Sequence, residues 1–243
     1  MISDLWHHIV DLTARQAAPP ALLVVLTAAG ALLATLYRPI WRWLRNAVTI
    51  AHEGGHALVA VLVGRRLQSI RLHQDTSGLT VSKGKPHGPG MVFTLLVGYV
   101  APSLLGLGGA WLLSGQRIRL TLWVAIVLLI PMLFMIRNLY GVLAMLISGG
   151  VVFAVSWYAS PQVQAGFAYA GVWFLLIGGV RPVFELAGQR RRKQISGSDV
   201  DQLAALTHIP GGAWLFLYAL VNTGALVLGA ILLGLRGAVA GLF

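Results

Sequence analysis

The apolar positions of this chain are arranged in long, nearly uninterrupted runs, with polar residues gathered between them. Runs of about 17–25 predominantly apolar residues, the length a helix needs to cross a bilayer, occupy 20–37, 41–63, 91–113, 120–136, 139–159, 167–183 and 212–235. The pattern predicts an all-α polytopic membrane protein with about six to seven transmembrane helices, folded as a single integral membrane domain over 1–243. The fourth and fifth runs are joined only by Ile136-Arg137-Asn138, so they form a tight hairpin. A count of six with one re-entrant segment satisfies the same pattern.

Between 64 and 90 the period changes to two. Leu67, Ser69, Arg71 and His73 alternate with Gln68, Ile70, Leu72 and Gln74, and Gly78-Leu79-Thr80-Val81-Ser82 follows the turn signal Asp75-Thr76-Ser77-Gly78. A short β-hairpin is predicted directly after the second span. It serves either as a solvated loop or as an exposed edge to which an unwound substrate segment adds as a further strand.

Composition narrows the class. With 57% hydrophobic and 10% charged residues and a mean hydropathy of +0.79, a soluble globular domain is excluded. No cysteine is present, so any metal ion must be held by His, Asp, Glu or Asn. The net charge of +11 comes from 18 basic residues, 15 of them Arg, placed mainly in short segments between the apolar runs. That is the distribution of topology determinants, so the expected partner is the lipid bilayer and no nucleic acid. The one dense block, Gln189-Arg190-Arg191-Arg192-Lys193 in the basic loop 184–211, reads as an anchor on anionic lipid. With seven spans, Arg15, Arg65, Arg66, Arg71, Lys83, Lys85, Arg137 and Arg190 to Lys193 share one side, which the positive-inside bias makes cytoplasmic. The N-terminus is then cytoplasmic and the helix over 41–63 runs inward.

That helix carries the chemistry. His52-Glu53-Gly54-Gly55-His56 places two imidazoles four residues apart, on one face, where they can share a divalent ion. Glu53 adjoins that face and is placed to take a proton from water acidified by the ion. An unpaired glutamate costs several kcal/mol at mid-membrane by roughly the insertion scales, which argues for a functional group. A structural pair of buried histidines and a proton relay are the alternatives.

Catalytic zinc usually has three protein ligands and one open position. The third donor is sought among Asp4, Asp11, Asp75, Glu185, Asp199 and Asp201. Ser198 reads as an N-cap, which puts Asp199 and Asp201 in the first turn of a helix, where acids also complement the dipole without any metal. Asp199 is the expected third ligand, with Asp201 and Asn138 as alternatives.

His52-Glu53-Gly54-Gly55-His56 in a membrane helix, the hairpin-like loop, and Gly98-Tyr99-Val100-Ala101-Pro102 early in the next span together resemble the site-2-protease-like intramembrane zinc metallopeptidases. Ser198-Asp199-Val200-Asp201-Gln202-Leu203 is similar to a segment of a small bacterial branch of that family. The resemblance spans roughly 40–205. It implies membrane helices around a Zn2+ ion, with His52 and His56 as ligands and Glu53 as general base. It implies a membrane-protein substrate cleaved in or near its spanning segment, often to release a regulatory factor, and a bacterial plasma membrane as the setting. The family's usual third ligand comes from an Asp-Gly dipeptide, which this chain lacks, so Asp199 stands in its place. A catalytically inactive membrane scaffold and a divalent-metal transporter are the alternatives. Transport fits less well, because no acid other than Glu53 falls at the middle of a predicted span.

Overall fold

The computed structural model describes residues 13–192 and 197–240. In chain order the elements are α1 (Ala21–Leu36), α2 (Arg38–Leu62), β1 (Arg66–Leu72), β2 (Gly78–Lys83), α3 (Pro89–Ser114), α4 (Ile118–Met135), α5 (Leu139–Tyr158), α6 (Pro161–Arg191), α7 (Asp199–Thr207), α8 (Gly211–Leu232) and α9 (Leu235–Ala240). Every apolar run is helical, and the predicted hairpin stands between α2 and α3. Proline at one of the first two positions opens α2, α3 and α6, where its missing N–H costs nothing. α6 extends past the run predicted at 167–183, and continues as helix to Arg191.

Among the described residues the predicted six to seven spans come to five, or six with a bent pair at the start of the chain. α3, α4, α5, α6 and α8 are each long and apolar enough to cross a membrane, whereas α1 and α2 qualify only as a pair, bent by 103°. α1 alone is too short, because its 16 residues rise only about 24 Å at 1.5 Å each, short of a hydrocarbon core about 30 Å thick; α2 is long enough but carries His52, Glu53 and His56 within its apolar stretch. Tyr37 adopts an extended conformation and turns the chain. From α6, Arg181 fixes this bend. Its guanidinium donates to the Thr35 carbonyl in the last turn of α1, lies 4.6 Å from the Trp41 ring centroid, and pairs with Glu185 at 2.7 Å. Glu185 also meets Arg45 of α2 at 3.4 Å.

α3 and α6 cross at the centre, where Gly179 admits the Ser103 side chain and Val172, Trp173 and Leu176 fill the interior. α7 is short, and Val200 and Leu203 anchor it with no exposed surface beside Leu95, Val183, Leu186 and Tyr218. Its first turn is set by a capping box: Ser198 and Asp201 exchange bonds, with the Ser198 N–H donating to Asp201 Oδ2 at 3.0 Å.

The hairpin pairs antiparallel from Arg66↔Lys83 to Leu72↔Gly78, with a bulge between Leu67 and Ser69. Its inner face buries Ile70 and Leu72 against Ile50 and Ala57 of α2 and against Ile136 and Met145. In the turn, the hydroxyl and backbone N–H of Ser77 donate to Asp75 and hold its carboxyl below the usual carboxylate range. The second edge of β1 is also occupied. Arg137 N–H donates to the Ile70 carbonyl at 3.0 Å, and the Asn138 amide clamps both backbone groups of Leu72. Gln16, by contrast, bonds to Gln116 and Arg119 at the α3–α4 turn, the end of α3 away from the hairpin.

Candidate metal centre

Three elements converge on one point. α2 projects His52 and His56 from successive turns, and their Nε2 atoms lie 3.0 Å apart. The start of α7 brings Asp199 Oδ2 to 3.3 Å from His52 Nε2 and 3.2 Å from His56 Nε2. α3 supplies the wall: a methyl on Gly98 would overlap His56 Nε2 and approach His52 Cε1 to 2.8 Å, so only glycine leaves the space open. Among the described residues these three form the group of metal-ligating side chains close enough to share an ion.

The donor set fits a metal. Ligand atoms about 2.0–2.1 Å from a tetrahedral ion stand about 3.3–3.4 Å from one another, close to the 3.0, 3.2 and 3.3 Å found here. His56 Nδ1 lies 2.6 Å from the Thr94 carbonyl, to which it donates its proton. The Nε2 lone pair is thereby left for an ion, the outer-sphere arrangement typical of ligating histidines. Asp199 Oδ2 faces the Nε2 atoms of both imidazoles, so a carboxylate oxygen completes the donor set.

Glu53, one residue on from His52 and so about 100° around α2, packs against the hairpin. It is 4% exposed, and the Thr80 hydroxyl donates to its Oε2 at 2.6 Å. Gly78 lies against the same carboxylate: a Cβ there would come within 2.6 Å of the Glu53 carboxyl carbon. Alternation along β2 turns 78 and 80 inward together, so one strand supplies both the space and the donor.

The other residues weighed as third ligands have other partners. Asp201 is spent on the Ser198 cap and on Arg190. Asn138 holds the β1 edge, Glu185 pairs with Arg45 and Arg181, and Asp75 closes the hairpin turn. Asp4 and Asp11 lie outside the described residues. Sequence reasoning did not single out Thr80, Thr94 or Gly78 for roles at the site. The period-two pattern could have indicated Thr80, which shares a strand face with Gly78. Nothing in the sequence marks the Thr94 carbonyl. Tyr99 completes the wall, edge-on to His52 with ring centroids 4.9 Å apart and stacked on Tyr218.

Fold and site define a class: a polytopic membrane protein with two histidines and one aspartate at ion-sharing distances beside a buried glutamate. The chain belongs to the family described as Peptidase M50B-like, whose sequence model matches residues 25–229. The match takes in α2, the hairpin and Asp199, and agrees at family level with the resemblance to site-2-protease-like metallopeptidases. No curated protein and no solved structure matches the chain.

Proposed function

We propose that this protein is an intramembrane zinc metalloendopeptidase that hydrolyses peptide bonds in or near the spanning segments of membrane-protein substrates. One observation supports this above the rest: His52, His56 and Asp199 converge at ion-sharing distances on the helix that carries Glu53. Bound there, zinc would acidify a water and polarise the scissile carbonyl. Glu53 would take the proton from the attacking water at a carboxylate oxygen and return it to the departing amine. The Thr80 hydroxyl, already donating to Oε2, keeps the carboxylate oriented. Tyr99 and Gly98 shape the wall beside the two imidazoles.

The hairpin lies where such a peptide would have to come. β1 is flanked by β2 and by Ile136–Asn138, so the sheet's remaining edge is the outer side of β2, the strand that touches Glu53. A substrate segment unwound from its helix would regain backbone hydrogen bonds by adding there.

Orientation follows from the same contacts. We infer that the hairpin, Arg137 and the basic end of α6 face the cytoplasmic side of a bacterial plasma membrane, the side their positive charge favours. A cytoplasmic N-terminus requires α1 to cross by itself. With α1 and α2 as one broken span and Gln16 beside the α3–α4 turn, we place Gln16 and the first turn of α1 on the opposite side.

The test is cleavage in vesicles of a reporter carrying a helix-destabilised membrane segment. Wild type cleaves it, and Glu53→Gln abolishes cleavage while keeping bound metal. Metal retained with no cleavage of any such reporter by the wild type would favour an inactive scaffold, and metal flux through the vesicles would favour a transporter.

A further inference from the structure

A groove between the end of α6 and the start of α8, away from the metal centre, combines two chemistries along one channel. It encloses about 470 Å³, with Phe184 and Ala187 of α6 and Phe216 and Ala219 of α8 as walls and Arg190 and Arg191 at one end. From Phe184 to Arg191, α6 rises about 10 Å. The cations therefore stand at the mouth and the apolar walls run inward toward the membrane centre.

The two guanidiniums are not equivalent. Arg190 is engaged by Asp201 and lies against Gly211, where a Cβ would meet its Nη2 at 2.6 Å. Arg191 is exposed and has no ion pair among the described residues, and no carboxylate lines the groove. A soluble anion would use the charge and leave the channel empty, whereas an uncharged acyl chain would leave the cation unmatched. Phe184 and Phe216, 63% and 70% exposed, border the channel without filling it. We propose that this groove is a binding site for one anionic phospholipid, its phosphate at Arg191 and an acyl chain between Phe184 and Phe216. The surrounding bilayer presents such a ligand at the depth where a basic helix end meets the headgroups. Arg190 links the groove to α7, since it pairs with Asp201 in the cap of the helix that begins with Asp199.

The test is native mass spectrometry of the full chain released from detergent micelles. The protein is titrated with dioleoylphosphatidylglycerol, with dioleoylphosphatidylcholine and with inorganic phosphate. One phosphatidylglycerol is expected to be retained about fivefold more tightly than phosphatidylcholine, the discrimination one basic residue supplies near a membrane surface. Arg191→Gln removes that preference, Phe216→Ala weakens both lipids alike, and millimolar phosphate displaces neither. Both side chains are exposed, so unchanged thermal melting of the variants verifies that they fold. Equal retention of the two lipids by the wild type, or a preference that survives Arg191→Gln, overturns the proposal. Displacement by phosphate reassigns the site to a free anion, and an unaltered Phe216→Ala removes the acyl channel.

Discussion

Glu53 follows His52 directly, yet its carboxylate is held by a different element from the one that completes the histidine pair. The Thr80 hydroxyl and the space over Gly78 fix it from the hairpin, while Asp199 joins the histidines from α7. The consequences separate cleanly. Glu53→Gln is expected to lower turnover by about 10²–10⁴-fold, the usual contribution of a general base, with metal content unchanged. Thr80→Val is expected to lower turnover about tenfold without changing metal content, and Thr80→Ser to restore it, because the hydroxyl survives. Gly98→Ala should do the reverse, pushing the imidazoles apart and weakening metal binding by about 10–100-fold. Isothermal titration with zinc alongside a cleavage assay distinguishes the two behaviours. Of these residues, the H-E-x-x-H group is legible from spacing alone, since four residues make just over one helical turn. Thr80, Thr94 and the need for glycine at 98 depend on which elements meet, and a single chain's periodicity does not carry that.

At the scale of elements, two side-chain devices position the site without touching it. Asn138 pairs with both the N–H and the C=O of Leu72 and so holds the hairpin to the α4–α5 turn. Asn138→Ala removes both bonds from a partly buried edge and is expected to cost about 1–3 kcal/mol, seen as faster hydrogen exchange across β1. Asp201 caps α7 and pairs with Arg190, so Asp201→Ala is expected to cost about 1–2 kcal/mol. It should loosen metal binding while leaving the ion bound at saturation, in contrast to Asp199→Ala. The capping motif Ser198-Asp199-Val200-Asp201 is readable as a helix start. The division of labour between its two acids is not, because both stand in the first turn. Packing decides it: Val200 and Leu203 bury one face of α7, which turns Asp199 toward α2 and Asp201 toward α6.

For the whole molecule, apolar run length gives the helices and period-two alternation gives the hairpin, because both patterns are local. Spatial relations between helices escape such reading. The 103° bend at Tyr37 rests on Arg181 and Glu185, more than 140 residues away along the chain, so a seven-span count overlooks it. The absence of native cysteine allows this topology to be tested by single-cysteine labelling from either side of sealed vesicles. Ser77→Cys is expected to react from the cytoplasmic side, and Ala17→Cys and Ser160→Cys from the other. Reaction of Ala17→Cys on the same side as Ser77→Cys would instead mean that α1 crosses separately.

All of these relations have one centre, the metal site proposed between α2 and α7. Elemental analysis of purified protein tests it most directly. About one zinc per chain is expected in the wild type and in Glu53→Gln, with loss in Asp199→Ala. Absence of zinc from the wild type, or full retention in Asp199→Ala, would contradict the account.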